Sequence, residues 1–120
     1  MDMNTENHKV FAWISVIPIG KVDSNDGVLQ TSFSKEIAFV FDALKKLKGV
    51  KVTLTAMGTE IEANNIQDIL RSIEIAHKAL KELGIQRIIS TVRIDERLDS
   101  AETLEGRINS VKEKLAGSSV

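Results

Sequence analysis

Residues 50–84, VKVTLTAMGTEIEANNIQDILRSIEIAHKALKELG, pass from one structural period to another, and that change decides the fold. The stretch Val50 to Met57 is β-rich and alternates in character, Gly58 sits where a tight reversal fits, and Thr59 to Ala63 reads as the returning strand. The two should pair as a hairpin. Asn65 followed three residues later by Asp68 resembles a capping pair. From there Ile66, Ile69, Leu70, Ile73, His77, Leu80 and Leu83 hold one helical face until Gly84.

Working outward, Lys9 to Ile19 (KVFAWISVIPI) is an apolar, β-rich run closed by Pro18 and Gly20, a first strand. Lys21 to Thr31 is polar, with Asn25, Asp26 and Gly27 at its centre, and reads as a mobile loop. A helix starting at Ser32 or Ser34 follows, with Ile37, Val40, Phe41, Leu44 and Leu47 on one side and Gly49 as its stop. Beyond the central stretch, Ile85 to Asp95 is a further strand. A last helix runs from Asp99 or Ser100 to near Gly117, with Glu102 and Glu105 early and Lys112 and Lys114 late, the order a helix dipole favours. The order β-α-β-β-α-β plus a helix has one economical single-sheet solution: an α+β, ferredoxin-like βαββαβ sandwich with an extra C-terminal helix. Residues 1–8 are then a flexible N-terminus and 9–116 a single domain.

The chain has 120 residues, 42% of them apolar and 28% charged, which suits one globular core. No cysteine is present, so disulfides, thiolate metal sites and cysteine nucleophiles are excluded. Sixteen basic side chains against seventeen acidic ones argue against an electrostatic hold on nucleic acid or an anionic membrane. The longest apolar run, Val10 to Ile19, is half a membrane span and is interrupted by Ser15 and Pro18, and Met1 to Lys9 is unlike a signal peptide. A cytoplasmic location is the expectation.

Strand alternation places Val10, Ala12, Ile14 and Val16 on one face with Val50, Val52, Leu54 and Ala56, and with Ile88, Ser90, Val92 and Ile94. That set should meet the two helices. The other face carries Phe11, Trp13, Ser15 and Ile17, Thr53, Thr55 and Met57, and Ile89, Thr91 and Arg93. This mixture is too apolar for a solvent face and too polar for a core, so it reads as an interface or a ligand-binding surface. Leu104, Ile108, Val111 and Leu115 of the last helix form a narrow seam that needs a neighbour; a second copy is the expectation, the chain's own sheet the alternative.

Only two histidines occur, His8 in the N-terminal stretch and His77 on the apolar side of the second helix, so no catalytic or metal constellation is evident. His77 reads as a hydrogen-bonded core or interface residue. In the hairpin AMGTEIEA, Gly58 permits close backbone approach, and Glu60 and Glu62 point to one side while Thr59 and Ile61 point to the other.

Six segments together, SVIPIG (15–20), TSFSKEI (31–37), TAMGTEIEA (55–63), AHKAL (76–80), RIISTVRIDER (87–97) and ETLEGRINSVKEKL (102–115), resemble the YkoF-like thiamine-binding protein family. The resemblance spans about Val10 to Leu115. It implies a ferredoxin-like subunit that assembles through its sheets into homodimers or homotetramers and binds thiamine or its hydroxymethylpyrimidine part without catalysis, metal or other cofactor. Thiamine joins a cationic thiazolium to an aminopyrimidine, so a binder needs hydroxyls, a carboxylate and an apolar wall. On that footing Ser15, Thr55, Thr59 and Thr91 are expected to bond the pyrimidine, Met57 and Gly58 to form the wall, and Glu62 to meet the ring amidine or cation. Ser34, at a helix start, is expected near the alcohol or a phosphate. The competing reading is an ACT-like regulatory module that binds an amino acid. An RNA-binding sheet using Phe11 and Trp13 and a small enzyme using paired carboxylates fit the charge and spacing less well.

Overall fold

A computed structural model of the protein describes residues 8–20, 32–99 and 103–117. The loop read at Lys21 to Thr31, the first seven residues of the N-terminus and the positions around Ser100 lie outside the described residues. The elements are β1 (Val10–Ile19), α1 (Ser34–Lys45), β2 (Val50–Leu54), β3 (Thr59–Ala63), α2 (Ile66–Glu82), β4 (Arg87–Glu96) and α3 (Leu104–Gly117). Their sheet order is β2-β3-β1-β4, every neighbouring pair antiparallel. β1 and β2 are joined through α1 with β3 inserted between them, the split βαβ arrangement of a ferredoxin-like α+β fold.

The core lies between one face of the sheet and α1 with α2. Val10, Ala12, Ile14 and Val16 alternate into it from β1, Ile61 and Ala63 from β3, Val40 and Leu44 from α1, and Ile69, Ala76, Ala79 and Leu80 from α2. Ile88 and Val92 of β4 pack at its margin, and Ser90 between them bonds His77 Nε2 of α2 at 2.9 Å, as expected of a hydrogen-bonded histidine. The Asn65 side chain accepts from the Asp68 N–H at 2.8 Å, so the expected capping pair starts α2. α1 ends at Lys45, before the expected stop at Gly49, and Gly49 instead turns the chain into β2. Its φ is +86°, and a Cβ there would stand 2.8 Å from the Asp68 carboxylate.

Several details depart from the sequence reading. β2 stops at Leu54, because Thr55 turns the chain by bonding Gly58 through both its N–H and its hydroxyl. Thr55, Ala56 and Met57 therefore belong to the turn and not to a strand face, and Leu54 is more than half exposed. On α2 the buried stripe is Ile69, Ser72, Ala76, Ala79 and Leu80, whose small members allow close packing, while Leu70 and Leu83 fall to the flanks. Ile94, expected on the helix-packed face, is 43% exposed. Glu36, not expected inside, is fully buried in line with Val40 and Leu44 at positions four apart.

α3 begins at Leu104, four residues or more beyond the expected start. The Thr103 hydroxyl accepts from the Gly106 N–H at 2.9 Å, and the Thr103 carbonyl takes the first helical bond from the Arg107 N–H. These bonds fix the start by satisfying N–H groups that a helix end leaves open. His8, expected with the N-terminal tail, is buried with Nε2 3.5 Å from Glu96.

Candidate functional site

β1 is ten residues long, and β4 pairs with all of it, Val10↔Glu96 through Ile19↔Arg87. β3 pairs with only the first half, ending at Ile14↔Thr59. A gap therefore opens beside Ser15 and Val16, closed at one end by the Thr55–Gly58 turn and roofed by Ile37, Val40 and Leu44 of α1. It holds a cavity of about 140 Å³. Three consecutive β1 residues, Ile14, Ser15 and Val16, line it, so the strand presents its edge as well as one face. Pro18, which has no N–H to give, falls in this half of β1 with a single neighbour, where such a residue is tolerated.

The turn is rigid. Thr55 donates its hydroxyl to the Gly58 carbonyl at 2.7 Å and receives the Gly58 N–H at 3.2 Å. Any Cβ on residue 58 would lie 2.7 Å from the Trp13 indole and 2.8 Å from the Ile14 carbonyl, so the site requires glycine because two backbones and an indole meet there.

Five of the expected ligand contacts, Ser15, Thr55, Met57, Gly58 and Thr59, line this one cavity. Ser34 lines an adjoining hollow of about 630 Å³ with Phe33, Phe41, Asp42 and Lys45, and the two spaces share Ile37, Leu54, Thr55 and Ala56 as walls. Lys45 Nζ stands 5.8 Å from the centre of the Phe41 ring. Thr91 is not in the cavity wall; it is exposed on β4, the register partner of Ser15.

Glu62 lies elsewhere. Its Oε1 accepts the Leu104 N–H at 3.1 Å, holding the N-terminus of α3 against the face of the sheet that bears Phe11 and Trp13. Arg107 of α3 then bonds Asp95 at 2.7 Å and sits 4.2 Å from the centre of the Phe11 ring. The carboxylate at the adjoining hollow is Asp42, which pairs with Lys46 at 3.1 Å. Sequence reasoning passed over Asp42 because it reads as an ordinary helix-surface residue; its spacing of eight residues from Ser34 on α1 was the available signal.

Among the described residues no cluster of histidine, cysteine, aspartate and glutamate could hold a metal, and no helix is long and apolar enough to cross a membrane.

Comparison with known proteins joins these observations. A UPF0045 protein of Methanothermobacter thermautotrophicus is 34% identical over 106 residues, 88% of this chain and 99% of that one. The UPF0045 protein YqgV of Bacillus subtilis is 33% identical over 108 residues, 85% and 93% of the two chains. A solved structure of a hypothetical protein from Methanocaldococcus jannaschii superposes with a TM-score of 0.70 at 32% identity, covering 88% of this chain and 98% of that one. A Thermotoga maritima protein assigned provisionally to thiamine biosynthesis or salvage gives 0.65 at 18% identity, over 86% and 98%, a likeness of fold alone. Residues 12–112 match the family described as thiamine-binding protein, a range that takes in the hairpin turn, nearly all of the split sheet and the first nine residues of α3. The chain belongs to the thiamine-binding protein family.

Proposed function

We propose that the protein binds thiamine or its aminopyrimidine part, without catalysis, in the gap between β1, the Thr55–Gly58 turn and α1, and that it does so as a cytoplasmic homodimer or homotetramer. The observation that carries the reading is the cavity where Ser15, Thr55 and Thr59 meet Met57 and Gly58 beside an open strand edge. Alternating ring donors and acceptors need such a mixture of hydroxyls and backbone groups. At about 140 Å³ the cavity is smaller than the few hundred Å³ that enclose a drug-sized ligand, so it suits one ring. The thiazolium and alcohol then extend into the adjoining hollow, where Asp42 faces the cation and Ser34 and Lys45 meet the alcohol or a phosphate.

Self-association would cover exposed apolar surface that the cavity does not use. Ile108, Val111 and Leu115 of α3 are each more than half exposed, and Ile17 and Ile89 stand together, register partners, on the open face of the sheet.

Calorimetric titration with thiamine, its phosphates and the pyrimidine alcohol tests the binding. Thiamine at a hundredfold excess over its dissociation constant should stabilise the fold by about 2.7 kcal/mol. Heat with free amino acids and none with any thiamine compound would overturn the reading in favour of an amino-acid-binding regulatory module.

A further inference from the structure

The face of the sheet opposite the core contains a second cavity, of about 320 Å³, which shares no lining residue with the gap beside the hairpin turn although its Trp13 indole abuts Gly58. Its floor is one row across three strands: Glu60 on β3, Trp13 on β1 and Arg93 on β4, consecutive register partners. Leu104 and Arg107 of α3 form its roof, and Arg107 is already committed to Asp95 and the Phe11 ring. The floor is not committed. Among the described residues, neither the Glu60 carboxylate, the Arg93 guanidinium nor the Trp13 indole N–H makes a hydrogen bond or ion pair. Two strand spacings separate Glu60 from Arg93 at the backbone, about 10 Å, with the indole between them.

An acid at one end, a base at the other and an aromatic ring between them form a recognition pattern of definite polarity. A quaternary or ring-delocalised cation would sit over the indole beside Glu60, and an anionic group joined to it by a short linker would reach the planar donors of Arg93. A simple cation or a simple anion leaves one end of the row unmatched. We infer that the cavity floored by Glu60, Trp13 and Arg93 is a second small-molecule site, selective for zwitterions that carry such a cation and an anionic group. It lies on the opposite face from the proposed thiamine cavity and does not depend on that reading.

Trp13 is the chain's single tryptophan; its indole floors this cavity and also abuts Gly58, so its emission responds to occupation here and is assigned to this site by the Glu60 and Arg93 variants. The test is to titrate the whole protein with phosphocholine, with choline and with inorganic phosphate, following that emission. Phosphocholine should saturate at a concentration at least tenfold below either half-molecule. Arg93→Gln should weaken phosphocholine at least tenfold while leaving choline unchanged, and Glu60→Gln should weaken phosphocholine and choline alike but not phosphate. Unchanged thermal unfolding curves would show that both variants fold. No saturable response to phosphocholine, or one that neither variant alters, would overturn the inference. Thiamine carries the cation but no anionic group, so it should fill this row no better than choline does, and its tight calorimetric phase should be unaffected in both variants; loss of that tight phase in Glu60→Gln would make the two sites one, and the second site would fall.

Discussion

α2 buries Ile69, Ser72, Ala76, Ala79 and Leu80, whereas no residue of α3 is buried. Both helices have an apolar stripe in sequence, so composition does not separate them. Location does. α2 lies beside α1 over a face of the sheet that is apolar at nearly every position, and its small side chains let it settle there. α3 meets the other face through a few directional contacts at its first turn: Glu62 to the Leu104 N–H, Arg107 to Asp95, and Arg107 over Phe11. One helix is held by burial and the other by polar bonds that salt, pH or a partner can change.

The sharpest way to break this contrast is to cut both stripes. Leu80→Ala, at a fully buried position, should lower the unfolding free energy by about 2–5 kcal/mol at every protein concentration in urea denaturation. Val111→Asp should change the stability of the isolated subunit by less than about 0.5 kcal/mol, yet reduce the assembly to a 13.2 kDa species in light scattering. A Leu80→Ala loss that fades on dilution, or an assembly indifferent to Val111→Asp, would defeat the distinction.

Gly58→Ala comes next. The methyl group would press on the Ile14 backbone and on the Trp13 indole, and backbone cannot swing aside, so a loss of about 1–3 kcal/mol is expected together with thiamine binding. Preserved binding beside preserved stability would mean that the turn is not a wall of the site.

A smaller effect is expected of Glu62→Gln. A neutral acceptor replaces a charged one at the start of α3, so about 0.5–1.5 kcal/mol of attachment should go, visible as reduced helicity, while thiamine affinity stays within about 0.5 kcal/mol of the parent. Binding that fell while helicity held would return Glu62 to the ligand.

The smallest effect belongs to the exposed approach to α3. Arg97, hydrogen-bonded to Asp99 at 2.7 Å, holds that carboxyl below its ordinary value of 3.8. The lowered folded value means that any stabilisation is present above the ordinary value and lost as pH falls through the lowered one. Arg97→Ala should move the Asp99 midpoint, followed by NMR, back toward 3.8 with no change in melting temperature at neutral pH.

Much of the architecture was legible because it rests on local rules. The alternation of Val10, Ala12, Ile14 and Val16, the Asn65–Asp68 cap and the positive φ at Gly49 each follow from a period or a backbone demand within a few residues, although α1 ends at Lys45 and not at Gly49. Less legible were features set across long sequence distances. That β3 pairs with only half of β1, leaving the gap beside Ser15, depends on where Thr55 begins to turn, set by a hydroxyl bond to Gly58 that composition does not display. Glu62 stands forty-two residues from the N–H it accepts, and no spacing rule connects them. Glu36 sits on the buried stripe of α1 although its charge marks it for the surface, where the i, i+4 spacing to Val40 was the better guide. Among the expected ligand contacts, the residues adjacent in the chain, Thr55, Met57, Gly58 and Thr59, stay together in space, while Glu62 and Thr91 stand apart from the cavity.

Attachment of α3 at its first turn also sets a direction for its motions in time. Local opening costs least away from the attached turn, so the helix-bonded amide hydrogens should exchange with solvent fastest near Gly117 and more slowly toward Arg107, whose N–H makes the first helical bond. In an assembly whose partner covers Ile108 and Val111 the gradient should flatten and the middle turns should become slower as protein concentration rises. Exchange rates along fourteen residues, recorded at two concentrations, would therefore read the lifetime of the assembly from within a single helix.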